Sequence, residues 1–446
     1  MDEIVENALA CTAEDIHEIL SDLARKDRLL STIDRRWEKS DREYYVRRDI
    51  QLIVWPIVFH QIQEEISQLD SYQKAEKLIL SDAKIKDQLN TVVGTEEFFS
   101  HQVTFEGVMR KTLIPFLGEN SLLEFDYEIA LSQIRSIARD FEADYITVEE
   151  IAPLFGFRAE AESLQLDDDL TIEKLKPKEI SILLNSGIHL SIQSPHSDIV
   201  LVVYEFGIVR RKRYKKQIGP RSFPVTRNTE TKISWEELII TSLQLFKAGT
   251  VSSAGKIVNY TGLFKSSYLL QHTSSRPNVN SEYNLKNGEE GRAIDLWRRL
   301  NLVSINLPNF LVVALSRYSQ SVLKSAYEDK IIDLMIAAEA IFLQSESDVN
   351  GELNYRLSHR AALFLEQDPN KQREIYRFFK SAYSMRSKIV HGSTLEIKKG
   401  QMSLNECVDL LNRYISYSIE KIVDLMRQQK NTKFKVDWDN ITFPSR

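Results

Sequence analysis

The chain has 446 residues, 43% of them hydrophobic and 27% charged, with only 15 Gly and 11 Pro. That length suits two or three domains, and that composition excludes collagen-like, low-complexity and wholly disordered chains. With 64 acidic and 58 basic residues the net charge is −6, which excludes a general duplex coater and confines any nucleic-acid contact to local patches.

The N-terminus, Met-Asp-Glu-Ile-Val-Glu, is acidic and fits neither a secretory signal nor a transit peptide. Residues 1–145 read as a helical region. Ile50, Ile53, Val54, Ile57, Val58 and Ile62 follow helical spacing; Pro56 within that pattern should kink the helix or move its start. From 146 the texture changes, and 146–300 reads as a mixed α/β region. Short β-like runs at 163–166, 170–172, 188–192 and 199–209 are separated by turn residues. The last run is the most apolar and is broken by Glu205, so no segment is long enough to span a membrane. Ser234 and Glu237 form a capping box opening a helix that Gly249 can close. Residues 250–290 read as loop with two short strands.

Residues 301–430 read as an antiparallel helical bundle. Helices are expected at 308–327, 329–344, 352–367, 370–391 and 404–427. Asp368-Pro369 is a cap followed by Pro at the first helical position, Gly392 suits a left-handed stop, and Ser403/Glu406 is a second capping box. Residues 431–446 read as a frayed tail. The fold class is therefore α+β, multidomain and mainly helical. Cys11 and Cys407 lie at opposite ends of the sequence, which leaves no disulfide framework or Cys-rich zinc site and points to a cytoplasmic protein.

The usual catalytic signatures are missing. Gly249 to Ile257 misses a phosphate loop by one residue in spacing and by Ile257 where a hydroxyl is needed. Asp167, Asp168 and Asp169 read as a solvated turn, and His189 and His196 as loop or core residues. No metal site and no cofactor is expected.

One constellation remains: Tyr383, Arg386, Ser387, Lys388, His391 and Gly392. At about 100° per residue, Ile375, Phe378, Phe379, Ala382 and Ile389 form an inward stripe with Arg386 in its middle. Arg360 falls on the stripe of the preceding helix, and Glu339 at the edge of the one before. A guanidinium that keeps its charge needs a partner there, so Glu339 should pair with Arg360 or Arg386.

Residues 331–342, 356–362 and 386–392 together resemble an ApeA-like HEPN domain (higher eukaryote and prokaryote nucleotide-binding), the resemblance covering about 305–425. The family's Arg-x4-6-His motif maps onto Arg386 and His391, and its polar residue after the arginine onto Ser387. The resemblance implies a HEPN helical bundle that dimerises across a two-fold axis and acts as a metal-independent endoribonuclease. Prokaryotic proteins of this kind serve as antiviral or toxin effectors, which adds a regulatory or phage-derived trigger to the expected partners. The chemistry is coherent. RNA carries its own nucleophile, the ribose 2′-OH; histidine serves as base or acid, and arginine supports the crowded phosphate. The alternative is a catalytically silent HEPN module that dimerises or holds RNA or a nucleotide.

Two basic runs can meet RNA. Residues 370–400 hold eight basic residues, Arg377 and Lys380 among them, against Glu374 and Glu396. Arg210, Arg211, Lys212, Arg213 and Lys215 follow the apolar run and read as the end of a hairpin, either a substrate-holding arm or solubilising edge charge.

Overall fold

The computed structural model describes residues 1–40, 44–95, 101–188, 199–200, 204–219, 232–260, 267–271, 283–344, 352–392, 402–429 and 434–442. The chain is α+β. It opens with α1 (Glu3–Arg25) and a hairpin of β1 (Ser31–Lys39) and β2 (Tyr45–Ile53). The apolar pattern at 50–62 is thus two elements. Strand runs to Ile53, and α2 (Trp55–Gln61) then starts with Pro56 in its first turn, where its missing N–H has no intrahelical acceptor to lose. Next come α3 (Gln63–Gln68), α4 (Asp70–Ile79), α5 (Ala83–Lys86), β3 (Thr91–Gly94), β4 (His101–Val103), α6 (Phe105–Leu113) and α7 (Tyr127–Glu142).

The middle region runs β5 (Tyr145–Leu154), β6 (Phe157–Ala159), β7 (Ser163–Asp167), β8 (Leu170–Lys174), α8 (Pro177–Asn185) and β9 (Ile199–Val200). It continues through β10 (Phe206–Lys215), β11 (Gln217–Gly219), α9 (Trp235–Phe246), β12 (Gly255–Tyr260), β13 (Ser267–Gln271) and β14 (Tyr283–Leu285). Its main sheet is antiparallel, in the order β13-β12-β5-β10-β8-β7. The runs at 163–166 and 170–172 are strands as expected, whereas 189–192 lies outside the described residues. Among the described residues, the apolar run 199–209 contributes to β9 and β10, and the 250–290 segment holds three strands where two were expected.

The expected helical region 1–145 needs correction. Among the described residues it holds four strands, and it shares two sheets with the middle region, because β9 pairs with β2 and β11 with β3. Local periodicity cannot show such pairing, since the partners are more than a hundred residues apart. On β5 the alternating Ile146, Val148, Glu150, Ala152 and Leu154 are all buried. The first two pack with the N-terminal core and the last two beneath α9 and Trp297. Glu150 falls between those two cores.

The bundle follows as α10 (Glu290–Val303), α11 (Asn309–Leu323), α12 (Tyr327–Phe342), α13 (Leu353–Leu365), α14 (Pro369–Val390), α15 (Leu404–Gln428) and α16 (Trp438–Thr442). The cap signals act as read. Asp368 accepts from the amides of Asn370 and Lys371, Ser403 and Glu406 close a capping box, and Gly392 has φ +67°. Leu334, Ala338, Leu357, Phe379, Leu411 and Ile419 are fully buried in one core. Phe342 meets Phe379 at 5.7 Å while Glu339 faces Arg386, so α12 and α14 run antiparallel.

Two boundaries also change. The division at 300 falls inside α10, whose Trp297 belongs to the sheet's core and whose Leu300 belongs to the bundle's. The expected tail is partly built into the fold: Phe434, Val436 and Trp438 are buried, with Trp438 against Phe342 and Phe364. Three apolar residues spread over a short segment gave too little periodicity to read.

Candidate nucleic-acid interface

The α14 helix presents two faces. Ile375, Phe379 and Ala382 are buried in the bundle core, and Arg386 continues that face toward the helix end, where it is 27% exposed. The opposite face carries Arg373, Arg377, Lys380, Ser384, Ser387 and His391, which the helical repeat places within about 80° of one another. Of these only Ser387 is half-buried; the others are exposed. A basic line therefore runs along the helix and ends at the histidine. Lys388 is exposed beside it, and Tyr383 packs partly into the core. Lys398, Lys399 and Glu396 lie outside the described residues.

The helix holds its shape to the last turn. The His391 amide donates to the Ser387 carbonyl at 3.1 Å, and the Gly392 amide to Ile389 at 3.1 Å. Arg386 and His391 thus keep the directions of a regular helix, about 140° apart.

Glu339 is paired by Arg386, with Nη2 to Oε2 at 4.0 Å. Arg386 Nε is buried without a hydrogen-bond partner, so the guanidinium is only partly held. Arg360 has another role: its Nη1 donates to the Phe342 carbonyl at 3.0 Å, and its guanidinium lies 5.2 Å from the Trp438 ring centroid. That carbonyl ends α12, where a cation satisfies an orphan acceptor. Of the two candidates for Glu339, Arg386 makes the pair and Arg360 secures the helix end and the C-terminal segment.

Burial pushes the Glu339 carboxyl up, against the pull of Arg386. A carboxyl raised in the folded state favours folding when protonated, and this contribution is lost as pH rises through the raised value. Glu339→Gln should therefore melt higher than the parent at neutral pH, with the gap closing on acidification. Melting curves showing the same gap at every pH would assign the effect to packing instead.

The basic run at 210–215 is not the end of a hairpin. It lies within β10, a strand flanked by β5 and β8. Arg211 bridges Glu149 at 2.9 Å and Glu173 at 2.7 Å on the two neighbouring strands, and its hydrogen bond holds the Glu173 carboxyl below the usual range. Arg210 lies 3.7 Å from Glu150 and 3.5 Å from Asp169. Lys212 lies over the Tyr214 ring and Arg213 over Tyr145, while Lys215 is exposed at the strand's end. The first two arginines are thus matched by carboxylates of their own sheet. Arg211→Ala should cost on the order of 1 kcal/mol, because the pair is reached by solvent, and should leave the salt dependence of RNA binding unchanged. A flatter salt slope in that variant would return Arg211 to the RNA-binding surface.

A feature the sequence reading missed stands beside the α14 line. Tyr355 and His359 of α13 stack at 5.6 Å with an interplanar angle of 12°, and Tyr376 meets Tyr355 edge-on at 6.1 Å. Tyr355 is 49% exposed, and Lys380 lies over the Tyr376 ring. The available signal was the i, i+4 spacing of two rings on one helix. Among the described residues, no group of three or more His, Cys, Asp or Glu side chains could hold a metal ion, and no helix is long and apolar enough to cross a membrane. Comparison with known proteins identifies no matching family model, no matching curated protein and no matching solved structure.

Proposed function

We propose that the C-terminal bundle is a HEPN-type endoribonuclease that cuts RNA without a metal ion, at a site completed by a second copy of the chain. The observation that carries this reading is the exposed basic line of α14 ending at His391, with the partly held Arg386 on the adjoining face. His391 is the base or acid and Arg386 the phosphate clamp; Ser387 lines the cleft, Glu339 positions Arg386, and Tyr383 and Lys388 flank them.

The 140° separation supports the dimer. With the last turn of α14 intact, one chain does not aim both groups at one phosphate, whereas a two-fold axis brings His391 of one copy toward Arg386 of the other. Pairing also supplies two histidines, one to take the 2′-OH proton and one to protonate the leaving 5′-oxygen. A role in antiviral defence or as a toxin extends the same reading to its biological setting, with a trigger acting on the preceding regions.

Arg373, Arg377 and Lys380 would track the backbone, and the Tyr355/His359 stack would receive an unpaired base, which favours single-stranded RNA. On an RNase-silent His391→Ala background, Tyr355→Ala should weaken single-stranded RNA binding by about 1–3 kcal/mol. Arg377→Ala should instead lower the salt slope by about 0.7, one phosphate's worth on a single strand. Fluorescence anisotropy across a salt series checks both. Unchanged affinity and slope would move the RNA track off this helix pair.

A further inference from the structure

The N-terminal half of α14 borders a cleft of roughly 440 Å³, enclosed by the α13–α14 turn, the first turns of α14 and the middle of α15. It is within the size range of small-molecule sites. Leu365 and Ile375 form its apolar floor and are buried. Lys371 and Glu374 of α14 line one wall, Arg413, Tyr414 and Tyr417 of α15 the other, and Glu366 stands at the turn. Two carboxylates face two cations, so net charge favours neither an anion nor a cation. Selection falls to shape and hydrogen bonding.

These groups differ in how far they are already engaged. The Tyr414 ring is held 5.3 Å from Phe378 and 5.8 Å from Phe379, with the Arg413 guanidinium 5.4 Å from its centroid. Glu366 accepts from the amides of Gln367 and Asp368 at 2.8 and 3.3 Å, and Lys371 Nζ lies 3.8 Å from its other oxygen. Tyr417, by contrast, is 52% exposed. The Glu374 carboxylate is exposed and, among the described residues, makes no ion pair. An open ring beside an open carboxylate suits a flat group with donors along its edge, because an ionised carboxylate only accepts. In single-stranded RNA the Watson–Crick edges are free to be read. Guanine alone presents two adjacent donors there, N1–H and N2–H. Adenine and cytosine set a ring-nitrogen acceptor beside their amino group, and uracil flanks its N3–H with two carbonyls, so each opposes an acceptor to one carboxylate oxygen.

The cleft adjoins the basic line. Around α14, Glu374 lies about 60° from Arg377 and about 100° from Arg373, on the side away from Tyr376. A strand whose phosphates follow Arg373 and Arg377 can thus turn one base into the cleft. Glu374 precedes His391 by about 25 Å of helix, so that base lies several nucleotides from the cut bond. We propose that the cleft reads one unpaired guanine of the bound RNA, stacked on Tyr417 and donating N1–H and N2–H to Glu374. The inference rests on the RNA-binding reading of α14 and adds a sequence preference to it.

Fluorescence anisotropy on the full-length His391→Ala protein tests it, with oligouridine carrying a single guanine stepped through each position. One register should bind about ten- to a hundredfold tighter than plain oligouridine, the discrimination a bidentate base contact supplies. Inosine at that position, which lacks the N2 donor, should lose most of the gain, and Tyr417→Ala should reduce it. Glu374→Gln changes an exposed side chain on an intact helix, so it should fold and still bind oligouridine. It should lose the guanine gain, because its amide sets a donor against the donors of the base. Oligouridine that binds but gains nothing from guanine at any position would overturn the proposal and leave the basic line standing. A gain that Glu374→Gln or inosine retains in full would place the readout elsewhere and overturn it too. Failure of every oligonucleotide to bind would reject the RNA track itself, and the proposal with it.

Discussion

His391→Ala is expected to abolish RNA cleavage by about 10²–10⁴-fold or more, the range a positioned acid or base contributes, while the protein melts as the parent does. The residue is exposed and follows the last residue of α14, held there through its backbone rather than its ring, so truncating the side chain removes little packing. Arg386→Ala should lose activity to a similar degree. Its structural cost should be small, about 1 kcal/mol or less, because its pair with Glu339 spans 4.0 Å and both ends are partly open to solvent. In the proposed reaction the 2′-oxygen would attack phosphorus as the bond to the 5′-oxygen breaks, with one histidine taking the 2′ proton and another protonating the leaving oxygen. The products should therefore carry a 2′,3′-cyclic phosphate and a 5′-hydroxyl, activity should survive EDTA, and the matching DNA should be untouched. Products with 5′-phosphate ends, or equal cutting of DNA, would place the chemistry elsewhere in the chain.

What could be read from the sequence, and what could not, follows from how local each signal is. The bundle's helix ends were legible because Asp368-Pro369, Gly392 and Ser403/Glu406 each act within a few residues of themselves. The inward place of Arg386 was legible from a single helical repeat. Its partner was not, because choosing between Arg360 and Arg386 for Glu339 depends on how three helices cross. The strand pairs β2–β9 and β3–β11 join distant segments and left no periodic mark. The run at 210–215 was misread for the same reason. A row of cations looks solvent-bound until Glu149 and Glu173 arrive from neighbouring strands to meet Arg211. Lys256 repeats the lesson: its sequence misses a phosphate loop without showing what the lysine meets, and only the sheet shows that two carboxylates hold it.

The parent protein is expected to sediment as a dimer at micromolar concentration, through an interface including the His391 end of α14. Val390 precedes that histidine and is 52% exposed, an apolar side chain where a free helix end would favour polarity. An interface of this kind buries well over roughly 1,000 Å², and a charge introduced into a two-fold contact appears twice, facing its own copy. Val390→Glu should thus shift the protein to monomer and reduce cleavage to the level of His391→Ala, although every proposed catalytic group is still present. The two measurements separate the possibilities. A strict monomer that cuts RNA at the parent rate would end the shared-site reading, since His391 and Arg386 would then act within one chain despite the regular last turn between them. A dimer that cuts no RNA, even with extracts of phage-infected cells supplying a trigger, would leave the bundle as a silent binding module. A Val390→Glu monomer that loses activity and regains it at high protein concentration would tie catalysis to pairing directly, because only association restores the second histidine.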